Sequence, residues 1–303
     1  MHYLSCDWGT SNFRLRLVEN ASGAGREVRS DEGASKLAEG SGDRAERFRK
    51  TLACALNQLQ APTPLPVLVS GMASSSIGWK ELPYARLPFA LDGRHAVWER
   101  LDERIYLFSG LRSETDMLRG EETQALGLVA ALGADLPDRA TFLLPGTHSK
   151  HLQVEGGQIT GVRTFVTGEL FDLLVRQSVL RHSTDPEAPF ERAPFLEGVT
   201  EASRQPLTSA LFRVRTRQVL DRCGAPSNTA FLSGLLIGAE LAAVVGAGES
   251  NLPLVVAAPK PLLQAYAAAA ETMGLGPGLR TFDSEPLSAL GHGVLWRRIS
   301  AER

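Results

Sequence analysis

Two short segments carry residue types suited to holding phosphate. The first is Asp7-Trp8-Gly9-Thr10-Ser11-Asn12. Glycine lets a turn approach a ligand closely, hydroxyls add donors, and successive backbone N–H groups can form an anion-binding nest. Asp7, at the end of an apolar strand, is placed to hold a cation. The second is Gly146-Thr147-His148-Ser149-Lys150, which repeats the glycine and two hydroxyls and adds a cation. Each segment alone also reads as a polar hairpin turn. Two of them, each between two strands and each at the start of a half-chain, read as a pair of hairpins gripping a polyphosphate from both sides of a cleft. His148 reads either as a phosphate donor or as a ring packed under the hairpin. His151 reads as pointing out of the hairpin.

A third segment, Gly120-Glu121-Glu122-Thr123-Gln124, opens a helix. Acids in a first turn complement the helix dipole by about 0.3–1 kcal/mol. The functional reading is a general base at the cleft. Other chemistries lack their signatures: there is no G-x-x-x-x-G-K-[ST], no H-E-x-x-H and no G-x-S-x-G. A Rossmann turn is disfavoured because Phe13-Arg14-Leu15-Arg16-Leu17 continues as a strand with period two.

The elements that must position these residues alternate strands with helices. Tyr3-Leu4-Ser5-Cys6 and Phe13–Leu17 are strands. The stretch Ala21-Ser22-Gly23-Ala24-Gly25 reads as a turn before a third strand ending at Ser30, and residues 31–43 read as a loop. Asp43 caps a helix, with Glu46 three residues on and Phe48, Leu52, Leu56 and Leu59 on one face. Val67-Leu68-Val69 is a buried strand leading into Gly71–Trp79, and Tyr106-Leu107-Phe108 is another. After the helix from Glu121 to about Leu132, Thr141–Leu144 is a strand, followed by a hairpin turning at Gly156-Gly157. Residues 167–181, 200–220, 229–246, 261–273 and 286–301 read as helices, and 254–257 and 280–282 as strands. Each half therefore begins with strand, turn and strand, which hints at a duplication.

The chain has 303 residues, beyond the reach of one core, so two domains are expected, 1–132 and 133–303. Hydrophobic residues make up 43% and charged residues 22%, which excludes a disordered or collagen-like chain. The formal charge of −2 and the lack of a basic run argue against nucleic acid as a partner. Cys6, Cys54 and Cys223 are odd in number and far apart, which argues against a disulfide framework or zinc site and for a reducing compartment. No cationic and apolar leader opens the sequence, and the greasiest segments are broken by Glu240 or by Pro253, Pro259, Lys260 and Pro261. A cytoplasmic protein with no membrane contact is expected.

Taken together, Asp7–Arg14, Gly71-Met72-Ala73-Ser74, Gly78–Tyr84, Arg119–Gln124, Gly146–Lys150 and Thr167-Gly168-Glu169-Leu170-Phe171 resemble the 2-dehydro-3-deoxygalactonokinase family, in order and over nearly the whole chain. That family belongs to the sugar-kinase, Hsp70 and actin superfamily. The resemblance implies an α/β fold of two ribonuclease-H-like, actin-like domains with ATP in an interdomain cleft. It implies ATP-dependent phosphorylation of the terminal (C6) hydroxyl of 2-dehydro-3-deoxy-D-galactonate in galactonate catabolism. Kinases of other sugar acids, and an ATP-gated interaction protein on the same fold, are the alternatives. By similarity, Glu121 is the base, with Glu122 in reserve, and Asp7 holds Mg²⁺. Gly9, Thr10, Ser11 and Asn12 form the first phosphate loop, and Gly146, Thr147, His148, Ser149 and Lys150 the second. Gly71, Met72, Ala73, Ser74 and Trp79 face the substrate. The superfamily's Gly-Gly at the adenosine side is replaced by Ala257-Ala258-Pro259-Lys260. Pro259 and Lys260, with Ser233 and Gly234, are the residues expected there, although close helix packing also accounts for the glycines. The expected partners are ATP, Mg²⁺ and a small sugar acid, and a homodimer is allowed for.

Overall fold

The computed structural model describes residues 2–302 apart from 21, 22, 24, 63, 247, 249 and 250. The turn expected at 21–25 has three of its five residues outside the described set. In chain order the strands are β1 (Tyr3–Trp8), β2 (Phe13–Val18), β3 (Glu27–Ser30), β4 (Val67–Gly71), β5 (Ala85–Arg86), β6 (Phe89–Ala90), β7 (Trp98–Arg100), β8 (Ile105–Phe108), β9 (Leu111–Arg112), β10 (Met117–Leu118), β11 (Arg139–Leu144), β12 (Ser149–Glu155), β13 (Gln158–Phe165), β14 (Leu254–Ala258) and β15 (Arg280–Asp283). The helices are α1 (Ala34–Glu39), α2 (Arg44–Leu59), α3 (Glu121–Leu132), α4 (Thr167–Arg176), α5 (Arg192–Ala202), α6 (Leu207–Ala210), α7 (Arg213–Val219), α8 (Ala225–Gly246), α9 (Lys260–Thr272) and α10 (Leu287–Ala301).

The chain divides into two compact units. Unit 1 holds Met1–Asp138, Gln153–Val162 and Ser284–Arg303; unit 2 holds Arg139–Leu152 and Arg163–Asp283. The expected linear division at 132/133 differs from this at the C-terminus, because α10 returns to unit 1. It packs on α3, where a Cβ on Gly127 would lie 1.9 Å from the Leu287 carbonyl oxygen, so only a bare backbone permits the crossing.

The main sheet of unit 1 has the order β3-β2-β1-β4-β8-β7. β1, β2 and β3 form an antiparallel meander, and β4 and β8 then add in parallel on the other side of β1. A second sheet repeats this order as β13-β12-β11-β14-β15, with β6 beside β13 and with β11, β14 and β15 parallel. The short connections from β11 to β12 and from β12 to β13 leave only antiparallel pairing for those neighbours. This is the ribonuclease-H-like order twice over. The duplication legible in the alternating pattern is therefore topological.

Buried apolar faces hold each unit together. In unit 1, Trp8, Phe13, Phe48 and Trp79 form an aromatic cluster, with Trp8 4.6 Å from Phe13 and 4.7 Å from Phe48 between ring centroids. α2 carries Phe48, Leu52 and Leu59 inward, as the spacing requires, and Asp43 caps it by accepting from the Ala45 amide. In unit 2, α8 is long and apolar enough in composition to cross a membrane, with a mean hydropathy of 1.8, and most of it is buried inside the unit.

Three element expectations need correction. Residues 34–39 are helical rather than loop, and α1 is held by the amides of Ala34 and Ser35 donating to the carbonyls of Gly9 and Thr10. The single helix expected over 200–220 is three pieces, α5 ending at Ala202 and α6 and α7 following. Pro206, which has no N–H to continue a helical ladder, precedes α6. The helix expected over 167–181 stops at Arg176, and a separate 3₁₀ turn spans Val179–His182.

Candidate active site

In unit 1 the candidate site begins at the C-terminal end of β1. Asp7 pairs with Arg14 of β2 on one side and with Ser70 of β4 on the other. Its Oδ2 accepts from Ser288 Oγ at 3.2 Å, so α10 supports it from below. Burial pushes its carboxyl above the usual range, while Arg14, the Ser288 hydroxyl and Arg16 pull it back. Asp7, Gly9, Asn12, Arg14 and Arg29 line an open cleft. The turn itself is closed by the Gly9 amide donating to the Asn12 carbonyl at 2.8 Å, and it leaves Thr10, Ser11 and Asn12 exposed.

The next part of the site is where two glycines meet. Gly71 ends β4 with φ 88° and Gly120 precedes α3 with φ 111°, a region that favours glycine. A Cβ on Gly120 would lie 3.5 Å from Gly71 Cα, and one on Gly71 only 2.5 Å from the Trp8 carbonyl oxygen. The α3 N-terminus is thereby brought against the 71–74 turn. Arg119 ties the two together: its Nη1 donates to Ser74 O at 2.7 Å and Ser74 Oγ at 2.6 Å, and its guanidinium lies 4.2 Å from the Tyr84 ring centroid.

The two glutamates at this helix start have different environments. Glu121 is half-buried, and its Oε2 accepts from the Arg119 amide at 2.9 Å. Glu122 is 4% exposed; its Oε2 accepts from the Gly120 amide at 2.8 Å and its Oε1 from Thr123 Oγ1 at 3.1 Å. Burial, and then the neighbouring Glu121 charge, push the Glu122 carboxyl up to about 7. Of the pair, Glu122 is sealed and Glu121 is half-exposed.

In unit 2 the loop 146–150 divides into two parts. Gly146, Thr147 and His148 are exposed, whereas Ser149 and Lys150 are buried. The open part is seated on the start of α4. The Glu169 amide donates to the Thr147 carbonyl at 3.0 Å, and His148 Nε2 lies 2.8 Å from Glu169 Oε2. Gly168 makes this possible, since a Cβ there would stand 2.4 Å from the Gly146 carbonyl oxygen. His148 is thus on the open face and not packed beneath the hairpin.

Other expectations are displaced. The Ser149 hydroxyl donates to Glu240 Oε1 at 2.6 Å, and Lys150 Nζ donates to Thr164 Oγ1 at 2.9 Å, so both side chains serve the interior of unit 2. His151 points inward, 2.8 Å from Glu240 Oε1 and with its ring tilted against Phe165, because strand alternation puts it on the same face as Ser149. Trp79, expected at the substrate, is 5% exposed and packs on Phe48 and Trp8 in the core. Gly234 lies at the α5–α8 crossing, where a Cβ would meet the Phe195 carbonyl oxygen at 2.0 Å; helix packing accounts for it. Pro259 and Lys260 are exposed at the end of β14, and Ser233 is half-buried on α8. Gly71, Ala73 and Ser74 surround the Arg119 anchor, with Met72 partly exposed beside them.

The residue missed by sequence reading is Glu240, 2% exposed on α8. Besides Ser149 and His151 it accepts from Thr167 Oγ1 and from Tyr266 OH, the latter at 2.7 Å. Burial raises its carboxyl, but the His151 hydrogen bond and charge and the Ser149 and Thr167 hydroxyls outweigh this and hold it below the usual range. A lone acid inside a long apolar helix was the available signal, since a buried charge demands partners.

Among the described residues no group of three or more His, Cys, Asp or Glu could hold a metal ion by itself. A single carboxylate at Asp7 fits a magnesium ion that arrives with nucleotide, because Mg²⁺ is commonly bound by one or two carboxylates plus substrate phosphates.

Comparison with known proteins adds an independent line. A family model described as 2-keto-3-deoxy-galactonokinase matches residues 7–291. A protein of Rhizobium meliloti described as a probable 2-dehydro-3-deoxygalactonokinase is 34% identical, over 98% of this chain and 97% of the relative. The 2-dehydro-3-deoxygalactonokinase of Escherichia coli is 30% identical over 90% of each. A solved structure from Sinorhizobium meliloti, described by the same activity, is 35% identical with a TM-score of 0.85, covering 98% of this chain and 99% of that one.

Proposed function

The chain belongs to the 2-keto-3-deoxygalactonokinase family, and we propose from this premise and from the geometry of the α3 N-terminus that Glu121 is its catalytic base. The enzyme is a phosphotransferase with an alcohol group as acceptor. Its reaction is the ATP-dependent phosphorylation of 2-dehydro-3-deoxygalactonate in galactonate catabolism. The acceptor in this reading is the C6 hydroxyl of the D-sugar acid.

Phosphoryl transfer needs positioning and charge stabilisation more than covalent chemistry from the protein. The Glu121 carboxylate is held in place by the Arg119 amide and takes the proton of the attacking hydroxyl. Glu122, with both oxygens engaged, sits behind it and shapes the helix start. The 71–74 turn offers bare backbone for a sugar carbon chain, and Arg119 fixes that turn. Asp7 would hold magnesium, which supplies charge neutralisation on the phosphates when bound. Thr10, Ser11 and Asn12 in unit 1, and Gly146, Thr147 and His148 in unit 2, are the proposed phosphate donors. Ser149 and Lys150 support their loop from within. Pro259 and Lys260 are proposed on the adenosine side. Cytoplasmic location follows from this reading as part of the same proposal.

The observation that carries the reading is the contrast between two adjacent carboxylates, one half-open beside the Gly71 turn and one sealed. Glu121→Gln is expected to lower kcat by roughly 10²–10⁴-fold with ATP affinity nearly unchanged. Near-normal turnover in that variant would remove Glu121 from the role.

A further inference from the structure

Four donors from three separate elements converge on one buried carboxylate in unit 2. Ser149 and His151 come from β12, Thr167 from the first residue of α4, and Tyr266 from α9; all bond Glu240 of α8. An ionised carboxylate is acceptor-only and offers about four lone-pair sites, so it can accept from all four donors at once. Two of these elements bracket the open part of the loop. Ser149 directly follows Gly146-Thr147-His148, and Thr167 directly precedes Gly168, on which that open part rests.

We propose that Glu240 is a positioning residue for the phosphate loop, fixing residues 146–148 against the start of α4 so that their donors stand ready for nucleotide. The inference rests on the proposed phosphate role of that loop. Glu240 touches no reactant. It acts through Ser149 on the strand side and Thr167 on the helix side, and Tyr266 and His151 complete its pairing so that the charge tolerates burial. Pre-organised donors avoid reorganisation on binding, so a loosened loop weakens nucleotide binding while leaving the sugar-acid side alone.

The test compares two isosteric variants that each delete one hydrogen-bonded hydroxyl in unit 2. Thr167→Val cuts the Glu240 tie to α4. Thr229→Val removes a hydroxyl that bonds Asp185 elsewhere on α8. Thr167→Val is expected to raise KM for ATP by about 5- to 30-fold with KM for the sugar acid within about twofold. Thr229→Val is expected to lower Tm comparably and leave KM for ATP unchanged. Glu240→Leu should exceed the Thr167→Val effect, and Glu240→Gln should largely rescue it, because an amide can accept from Ser149 and His151 and donate to the hydroxyls of Thr167 and Tyr266. If Glu240→Leu fails to fold, the threonine pair carries the test alone. Equal KM changes in the two threonine variants, or none in either, overturn the inference. Thr147→Ala separates the two levels of the argument. If it leaves KM for ATP unchanged, the phosphate-loop reading falls; if it raises KM while Thr167→Val does not, only the role of Glu240 falls.

Discussion

Glu122→Gln should make unit 1 more stable at alkaline pH, and the size of the effect follows from its burial. The Glu122 carboxyl is raised from 4.5 to about 7. A group whose folded pKa lies above its unfolded value binds its proton more tightly when folded. Its contribution is therefore fully present below pH 4.5 and is lost as pH rises toward 7, after which it stays lost. At 1.36 kcal/mol per pKa unit the loss is about 3 kcal/mol. Glutamine keeps an acceptor for the Gly120 amide and can donate to Thr123 Oγ1, whose hydroxyl turns to accept, but does not titrate. All four tryptophans, Trp8, Trp79, Trp98 and Trp296, belong to unit 1, so urea unfolding followed by tryptophan fluorescence reads that unit alone. The variant and the parent should be comparable at pH 4.5, and the variant should gain on the parent by up to about 3 kcal/mol by pH 8. A stability difference independent of pH, or one that shrinks as pH rises, would refute the sealed carboxyl on which the choice of Glu121 depends.

Gly168→Ala should push the 146–148 loop off α4, since the added Cβ meets backbone; about a tenfold rise in KM for ATP with a stability loss of about 1–3 kcal/mol is expected, read by steady-state kinetics and thermal unfolding. Fully buried His292, whose imidazole burial holds down to about 3, should make unit 1 lose stability as pH falls below 6.5, the opposite sign to Glu122; His292→Leu should flatten that acid limb in fluorescence-monitored unfolding.

The parts of this molecule legible in sequence are those with local causes. Alternation in Phe13–Leu17, the Asp43 cap and the Gly-Thr turns each declare themselves within a few residues, and both hairpins stand where their turn chemistry puts them. Interior placement was less legible. Trp79 follows a small-residue turn that suits a ligand, yet its ring packs against both Trp8 and Phe48 in the core. Lys150 sits in a phosphate-like string, but strand alternation aims it at Thr164. The same alternation, applied to Ser149 and His151, would have pointed to a shared buried partner. α1 has no apolar period to announce it, because its start is fixed by bonds to the 9–10 turn. The return of α10 to unit 1 depends on small residues at a distant helix, which chain order cannot display.

ATP should be consumed only because a sugar acid accepts its phosphoryl group. Coupled ADP release should be measured with no acceptor, with 2-dehydro-3-deoxy-D-galactonate and with its gluco epimer. Turnover is expected only when acid is added, with kcat/KM for the galacto acid about tenfold or more above that for the epimer, the discrimination available from one buried polar group left unpaired. ADP release that is the same with and without the acid, or no turnover of either acid, would contradict it.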